Sequence, residues 1–264
     1  MRVSTVRSSP SLLFLCLAVG AGCVGWDAPY PTAPGEDALV VHGLLREGAA
    51  EHEILVERTR ALRDGFYRGH TPVSGAVVSI SGPEGTRTLT ENPAQPGVYR
   101  AAFPVQGGAS YVLQVTSPGG HHVSGQTQVP TSIRLSVPAA DTTVQHRDLP
   151  QMAFHWTSSR FAGGYKVVPS VPGRPTGIND LPLGGGMPDT TVVVDIALES
   201  ILYGFAKEIR YTVAAVDANY RRYYAVGDSA GTSRTTDRIR STVEGGYGLF
   251  GSYTLSNTRS VTIQ

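Results

Sequence analysis

The sequence has little cysteine, and what it has lies at one end. Cys16 and Cys23 both fall within the first 23 of 264 residues, so the rest of the chain holds no disulfide, thiolate metal ligand or cysteine nucleophile. An excess of charge of one sign is also missing, because 22 Lys and Arg residues accompany 21 Asp and Glu residues. A net charge of +1 gives no field that attracts a polyanion, and we expect no nucleic-acid partner.

The chain also lacks an apolar run that comfortably spans a membrane. The stretch from Leu12 to Val19 is much shorter than the about 20 residues that a spanning helix needs. It follows Arg2 and Arg7 and precedes the small residues 20–22, which is the order of a bacterial signal peptide. Small residues directly before Cys23 resemble a lipobox, in which the cysteine is acylated and becomes the first residue after cleavage. An ordinary secretory signal and an uncleaved anchor are the alternatives.

Acylation of Cys23 predicts where the protein is located. Acyl chains contribute roughly 0.8 kcal/mol per buried methylene, so several chains on this residue attach the protein to a membrane. Val24 stands where an aspartate would signal inner-membrane retention in some bacteria, which favours the outer membrane and leaves its periplasmic and surface faces open. We therefore predict a signal peptide at 1–22 and a proline-rich flexible tether at 23–38.

Turn residues are abundant, with 31 glycines and 18 prolines, which is typical of many short strands joined by tight turns. In the segment 110–116, Tyr111, Leu113 and Val115 alternate with Val112, Gln114 and Thr116, the pattern of a strand with one buried face. Seven such strands predict an immunoglobulin-like or transthyretin-like β-sandwich over 39–130. They are Leu39 to Leu45, Glu53 to Arg58, Val73 to Ile80, Thr86 to Thr90, Val98 to Ala102, Ser110 to Thr116 and His121 to Val129.

A second series of strands predicts a fibronectin type III-like module over 131–264. Met152, Phe154 and Trp156 alternate with residues of an outer face, so Trp156 is expected to fill a second core. The segment 210–217 is similar to the penultimate strand of a fibronectin type III module, and 249–263 returns to strand character. The glycine- and proline-rich stretch 169–188 is predicted to be a loop. The fold class is therefore all-β, with two β-sandwich modules after the signal segment.

The order of several short motifs resembles the domain-of-unknown-function 4249 (DUF4249) family. These motifs are VVHG at 40–43, PVSGAVV at 72–78, PGVY at 96–99, YVLQV at 111–115 and GGYGLFGSY at 245–253. The resemblance implies an outer-membrane-type lipoprotein with no established activity, often encoded near TonB-dependent receptors. It thus implies an accessory or binding partner in an outer-membrane complex.

The segment 227–231 imitates the G-x-S-x-G turn of serine hydrolases, with Ser229 at its centre. No histidine follows His155, so the α/β-hydrolase order is impossible, and a chymotrypsin-type order would need His155, Asp195 and Ser229. Alternation places His155 on the outer face of a strand. We therefore predict a protein that is not an enzyme, with a surface hydrolase as the alternative.

Two further patterns imitate cofactor or metal sites. The G-x-G-x-x-G at 246–251 precedes a strand rather than a helix, so we expect close backbone approach, with Phe250 in the core. His121 and His122 are adjacent, and neighbouring strand residues point to opposite faces, so they are not expected to share a metal ion. No cofactor or metal site is predicted.

The most prominent candidate for binding is a tyrosine and arginine cluster, whose tyrosine spacing also predicts a short helix. It consists of Tyr220, Arg221, Arg222, Tyr223 and Tyr224. Aromatic residues with arginine are frequent in protein interfaces, and tyrosine rings also stack on sugars. In the alternative interpretation, two tyrosines pack against the sandwich and the arginines are solvated. Three hypotheses remain: a partner of an outer-membrane protein, a hydrolase, and a structural or adhesive surface protein.

Overall fold

The computed structural model describes residues 38–59, 71–145, 148, 152–173, 192–193, 206–224 and 241–264. These residues belong to one unit, Glu36–Gln264. The predicted signal peptide and the tether up to residue 37 lie outside the described residues, as do Cys23, Asp195 and Ser229. Cys23 and its acylation therefore stay predictions.

The described residues are almost entirely strand. In chain order they form β1 (Leu39–Arg46), β2 (Glu51–Arg58), β3 (Val77–Gly82), β4 (Gly85–Glu91), β5 (Val98–Ala102), β6 (Ser110–Thr116), β7 (His122–Gln128), β8 (Leu135–Val137), β9 (Thr142–Val144), β10 (Ala153–Trp156), β11 (Gly164–Ser170), β12 (Val192–Val193), β13 (Glu208–Val216), helix α1 (Ala218–Tyr224), β14 (Val243–Glu244), β15 (Tyr247–Leu255) and β16 (Arg259–Ile263). Within this part of the chain, no helix is long and apolar enough to cross a membrane.

Strands β1 to β7 confirm the seven strands predicted between residues 39 and 130. In β6, Tyr111, Leu113 and Val115 are buried, whereas Val112 and Gln114 are exposed. This alternation follows from the pleat of a strand, which turns successive side chains to opposite faces. The period-2 pattern therefore identified the buried face correctly.

The first sandwich has two sheets that share strand β4. One sheet runs β7-β6-β3-β4 and the other continues through β5-β2-β1, because β4 pairs with both β3 and β5. Their inner faces enclose one apolar core, in which Ile54, Val78 and Leu113 are fully buried. Burial of such side chains contributes roughly 1.5–3 kcal/mol each.

Residues near the end of the chain complete this first sandwich. Strand β14 pairs with β7, and β15 runs parallel to β1 with Val40 opposite Tyr247. Phe250 of β15 is fully buried in the first core. The predicted module boundary between residues 130 and 131 stays a prediction. By strand pairing, β14 and most of β15 belong to the sheets of the first sandwich.

The second sandwich packs a three-stranded sheet, β12-β10-β8, against β11, β13 and β16. Met152, Phe154 and Trp156 are buried in its core beside Tyr211 and Val213 of β13. β13 pairs with the final strand β16, as the penultimate strand of a fibronectin type III-like sandwich does. The prediction of an all-β protein with a fibronectin type III-like module is confirmed.

The loop predicted from Pro169 to Pro188 begins two residues too early. Strand β11 continues through Pro169 and Ser170, which pair with Tyr211 and Arg210 of β13. Among the described strands β11 pairs with β13 alone, so the missing N–H of Pro169 is tolerated as on other edge strands. Residues 174–188 lie outside the described residues.

Candidate interaction surface

Helix α1 begins where a buried aspartate ends strand β13. The Asp217 Oδ1 atom accepts a hydrogen bond from the Tyr220 backbone N–H at 2.8 Å, which is the geometry of an N-cap. Its Oδ2 atom accepts a hydrogen bond from Thr127 Oγ1 of β7 at 2.5 Å. Burial raises the pKa of Asp217, and these hydrogen bonds oppose that shift. Asp217 therefore fixes the start of α1 against the first sandwich.

One face of α1 packs on the outer faces of β13 and β15. Tyr220 is fully buried and lies in a small apolar cluster with Ala214, Val216 and Leu249. The Lys166 ammonium donates a hydrogen bond to the Tyr220 hydroxyl at 3.0 Å and lies 5.3 Å from the ring centroid. This packing keeps the seven-residue helix folded, since so short a helix is not stable alone.

The other two tyrosines of α1 are half-buried and form a ring cluster with their neighbours. The Tyr223 ring meets the His42 ring of β1 edge-on, with centroids 5.7 Å apart. The Tyr224 ring lies 4.5 Å from the Tyr220 ring and 5.1 Å from the Tyr223 ring. The predicted short helix is confirmed, and it presents rings in a fixed arrangement.

Both arginines of the cluster are exposed. The Arg221 guanidinium donates a hydrogen bond to the Gly163 carbonyl at 2.8 Å, which ties it to the turn before β11. Arg222 follows it on the solvent side of the helix. The five predicted residues therefore lie together, with tyrosines against the sheet and arginines at the surface. Contact with a partner stays a prediction.

A groove of about 560 Å³ runs between α1 and the outer face of β1 and β2. We call it the tyrosine groove. Its lining combines aromatic and apolar side chains with charged ones from the strands. The lining residues that bear on binding are His42, Leu44, Arg46, Glu53, Tyr224 and Tyr253.

The aromatic part of the tyrosine groove is uncharged at neutral pH. Burial raises the pKa of the Tyr224 and Tyr253 phenols, with nearby Arg46 opposing the shift at Tyr253. It also raises the pKa of Tyr223, whose ring packs against Tyr224. Burial lowers the pKa of His42, and the Glu57 carboxylate only partly opposes this. At the rim, Glu53 forms a solvent-exposed ion pair with Arg100 at 2.7 Å. The groove thus has a neutral aromatic interior and charged edges.

Sequence reasoning identified the helix but missed the strand side of this groove. A signal was present in β1, where Val41 and Leu45 face the core while Leu44, a residue of the opposite face, is also apolar and half-buried. Apolar residues on both faces indicate that something covers the outer face as well. Here the cover is α1, whose Tyr223 and Tyr224 pack in the same cluster as Leu44.

The hydrolase hypothesis involves only one described residue, His155. This side chain is on β10, and alternation correctly placed it outside the core formed by Phe154 and Trp156. Its Nδ1 atom lies 2.8 Å from Ser136 Oγ, which also donates a hydrogen bond to the His155 carbonyl at 2.9 Å. His155 thus forms a cross-strand polar contact within the second sandwich. Ser229 and Asp195 lie outside the described residues.

The glycine-rich segment 246–251 is structural, as predicted. It lies at the start of β15, and Gly248 adopts φ +122° directly against β1. A Cβ atom on Gly248 would lie 2.0 Å from the Val41 carbonyl oxygen, and one on Gly246 would lie 2.6 Å from the Leu39 carbonyl oxygen. The segment therefore allows two backbones to approach closely.

His121 and His122 occupy the turn and the first position of β7, and both are exposed. The Nδ1 atom of His122 lies 3.2 Å from Thr116 Oγ1 on the paired strand β6. Across the described ranges, no three His, Cys, Asp or Glu side chains are grouped so as to hold a metal ion.

Comparisons with known proteins give a similar solved structure and a family match. The fibronectin(III)-like modules of Clostridium thermocellum CbhA are similar to this chain at 12% sequence identity and a TM-score of 0.27, covering 85% of this chain and 92% of theirs. No curated protein matches the chain. A family model described as "Domain of unknown function (DUF4249)" matches residues 27–158. Because this match spans half of the chain, the protein belongs to the DUF4249 family.

Proposed function

We propose that this protein is a non-enzymatic, lipid-anchored protein of the cell envelope that binds a partner in an outer-membrane complex of the TonB-dependent transporter type. The anchor rests on Cys23 and the signal-peptide pattern before it. The class of partner rests on the resemblance to DUF4249 lipoproteins. The contact surface is assigned to α1, because this helix carries the tyrosine and arginine cluster.

The observation that carries this proposal is that Tyr224 lines the tyrosine groove while Arg222, two residues earlier on α1, is exposed. Tyrosine and arginine are enriched among the hot-spot residues of protein interfaces, because each combines a large contact area with hydrogen-bond donors. Tyr223 and Tyr224 are already held by ring contacts, so little rotamer entropy is lost when a partner binds. The neutral aromatic interior and the charged edges of the groove match the apolar core and polar rim of interfaces.

Metabolic labelling with palmitate tests the anchor. Wild-type protein is expected to incorporate the label, and Cys23→Ser is expected to incorporate none. Cys16→Ser is the matched control, because Cys16 lies in the predicted signal peptide and its loss should leave labelling unchanged. Label that persists in Cys23→Ser contradicts the anchor.

Cross-linked pull-down from native membranes, followed by mass spectrometry, tests the partner. The wild type is expected to recover an outer-membrane protein, and Tyr224→Ala and Arg222→Glu are expected to reduce that recovery. Arg87→Glu is the matched control, since Arg87 is exposed on β4 and does not line the groove. Recovery of matrix or glycan in place of a membrane protein would instead support an adhesive protein and reject the proposal.

A further inference from the structure

A second cleft lies away from the tyrosine groove, where β7 faces the turn between β10 and β11. Its volume is about 470 Å³, within the about 300–1,000 Å³ typical of small-molecule sites. We call it the amide cleft, because three of its lining residues carry primary amides. They are Gln126, Gln128 and Asn219, and Phe161 lies beside them.

Phe161 is held in a backbone conformation that bulky residues rarely adopt. Its φ is +66°, in the left-handed region. The residue is 38% exposed, so burial in a core does not explain this conformation. The turn is fixed on its preceding side, because Ser159 Oγ donates to the Thr131 carbonyl at 2.6 Å and the Arg160 N–H donates to Thr131 Oγ1 at 2.9 Å. The Arg160 guanidinium lies 5.0 Å from the centroid of the Phe161 ring. A strained and exposed aromatic residue at a cleft indicates a functional position.

The three amide residues of the cleft come from β7 and from the first turn of α1. Gln126 and Gln128 are exposed on β7, whereas Thr127 between them is buried. The Asn219 amide donates to the Gln126 carbonyl at 2.6 Å and to the Phe250 carbonyl at 2.8 Å, so its orientation is fixed. Each glutamine amide offers two donors and one acceptor oxygen, a set that matches neighbouring hydroxyl groups.

We propose that the amide cleft binds a neutral saccharide, with the Phe161 ring against the apolar face of a sugar and Gln126 and Gln128 bonded to its hydroxyls. A neutral ligand fits because the lining amides are uncharged. The one carboxylate, Asp217, is 3% exposed and already accepts hydrogen bonds from Thr127 and Tyr220. A phosphate group in this cleft would lie near that carboxylate. The inference does not depend on the proposed partner contact at α1.

Glycan-array screening and isothermal titration calorimetry test the inference on the full chain in detergent. The probes are neutral glucan, xylan, mannan and N-acetylglucosamine oligosaccharides, with uronic acid oligosaccharides for comparison. We expect a neutral oligosaccharide to bind, and Phe161→Gly and Gln128→Ala each to weaken that binding about tenfold. Phe161→Tyr keeps the ring and is expected to bind as the wild type does.

Two matched controls separate the cleft from general surface effects. Gln114→Ala removes an exposed amide from β6, and Val77→Ala truncates a side chain that is 63% exposed on β3. Neither residue lines the cleft, so both variants are expected to bind normally. Phe161→Gly is expected to keep the wild-type melting temperature, since glycine adopts positive φ without strain. Failure of all neutral oligosaccharides to bind, preference for the acidic ones, or equal affinity of Gln128→Ala and Gln114→Ala would overturn the inference.

Discussion

Replacement of Gly248 by alanine should strongly destabilise the first sandwich, because this glycine lies against the backbone of β1. Its φ of +122° disfavours any residue with a side chain, a strain of about 1–3 kcal/mol. The added Cβ atom would lie 2.0 Å from the Val41 carbonyl oxygen, whereas carbon and oxygen normally approach to about 3.3 Å. The parallel pairing of β1 and β15 must separate by roughly 1 Å to relieve this contact. We expect a total loss above about 4 kcal/mol, a large part of the stability of a typical domain.

Urea unfolding followed by far-ultraviolet circular dichroism measures this loss of stability. Alanine substitution of two other glycines separates the backbone strain from the steric contact. Gly120→Ala has φ +81° and no atom within 4 Å of the new Cβ, so it carries the backbone strain alone. Gly251→Ala has no positive φ and meets the Asp217 Oδ1 atom at 3.1 Å, so small shifts accommodate it. Gly248→Ala should therefore be the least stable of the three. Equal midpoints for Gly248→Ala and Gly120→Ala would refute close backbone approach as the reason for the glycine-rich segment.

Three further predictions concern the cores and the charged residues. Leu113→Ala, at a fully buried position, should lower the free energy of unfolding by about 2–5 kcal/mol. Val112→Ala, at the neighbouring position that is 36% exposed, should lower it far less. Equal losses would contradict the assigned buried face of β6. Burial raises the pKa of Asp217, so its contribution to stability is present at low pH and is lost as pH rises through the folded pKa. Asp217→Asn should therefore gain stability relative to the wild type as pH rises above the ordinary Asp pKa in urea titrations, and a growing deficit would contradict this. Backbone N–H groups of Gly97 and Gly75 lower the pKa of Glu91. The wild type should therefore lose stability as pH falls through the folded pKa of Glu91, whereas Glu91→Gln should not. The same loss in both proteins would show that the Glu91 carboxylate does not stabilise the fold through these hydrogen bonds.

The sequence predicted those parts of the fold that depend on local alternation. The strands over 39–130 follow from runs such as 110–116, in which every second residue is apolar. The same reasoning placed Trp156 in a core, because its strand β10 has one buried face. The spacing of the α1 tyrosines also predicted a helix, since residues three and four apart share a helical face.

Pairings between distant segments could not be predicted in this way. β1 pairs with β15, about 200 residues later in the chain, and nothing in either segment specifies a parallel partner. The tyrosine groove depends on this pairing, because it brings Tyr253 beside Arg46. The positive φ of Phe161 was also beyond sequence reasoning, since phenylalanine is not a residue that signals such a turn.

Site-specific photo-crosslinking tests the central claim, contact through α1, most directly. A photo-reactive amino acid in place of Arg222 should yield a covalent adduct with an outer-membrane protein when intact cells are irradiated. The same amino acid in place of Arg87, an exposed arginine on β4, is the matched control and should yield no such adduct. An adduct from position 222 alone is the result the account predicts. Equal adducts from both positions, or none from position 222, would contradict it.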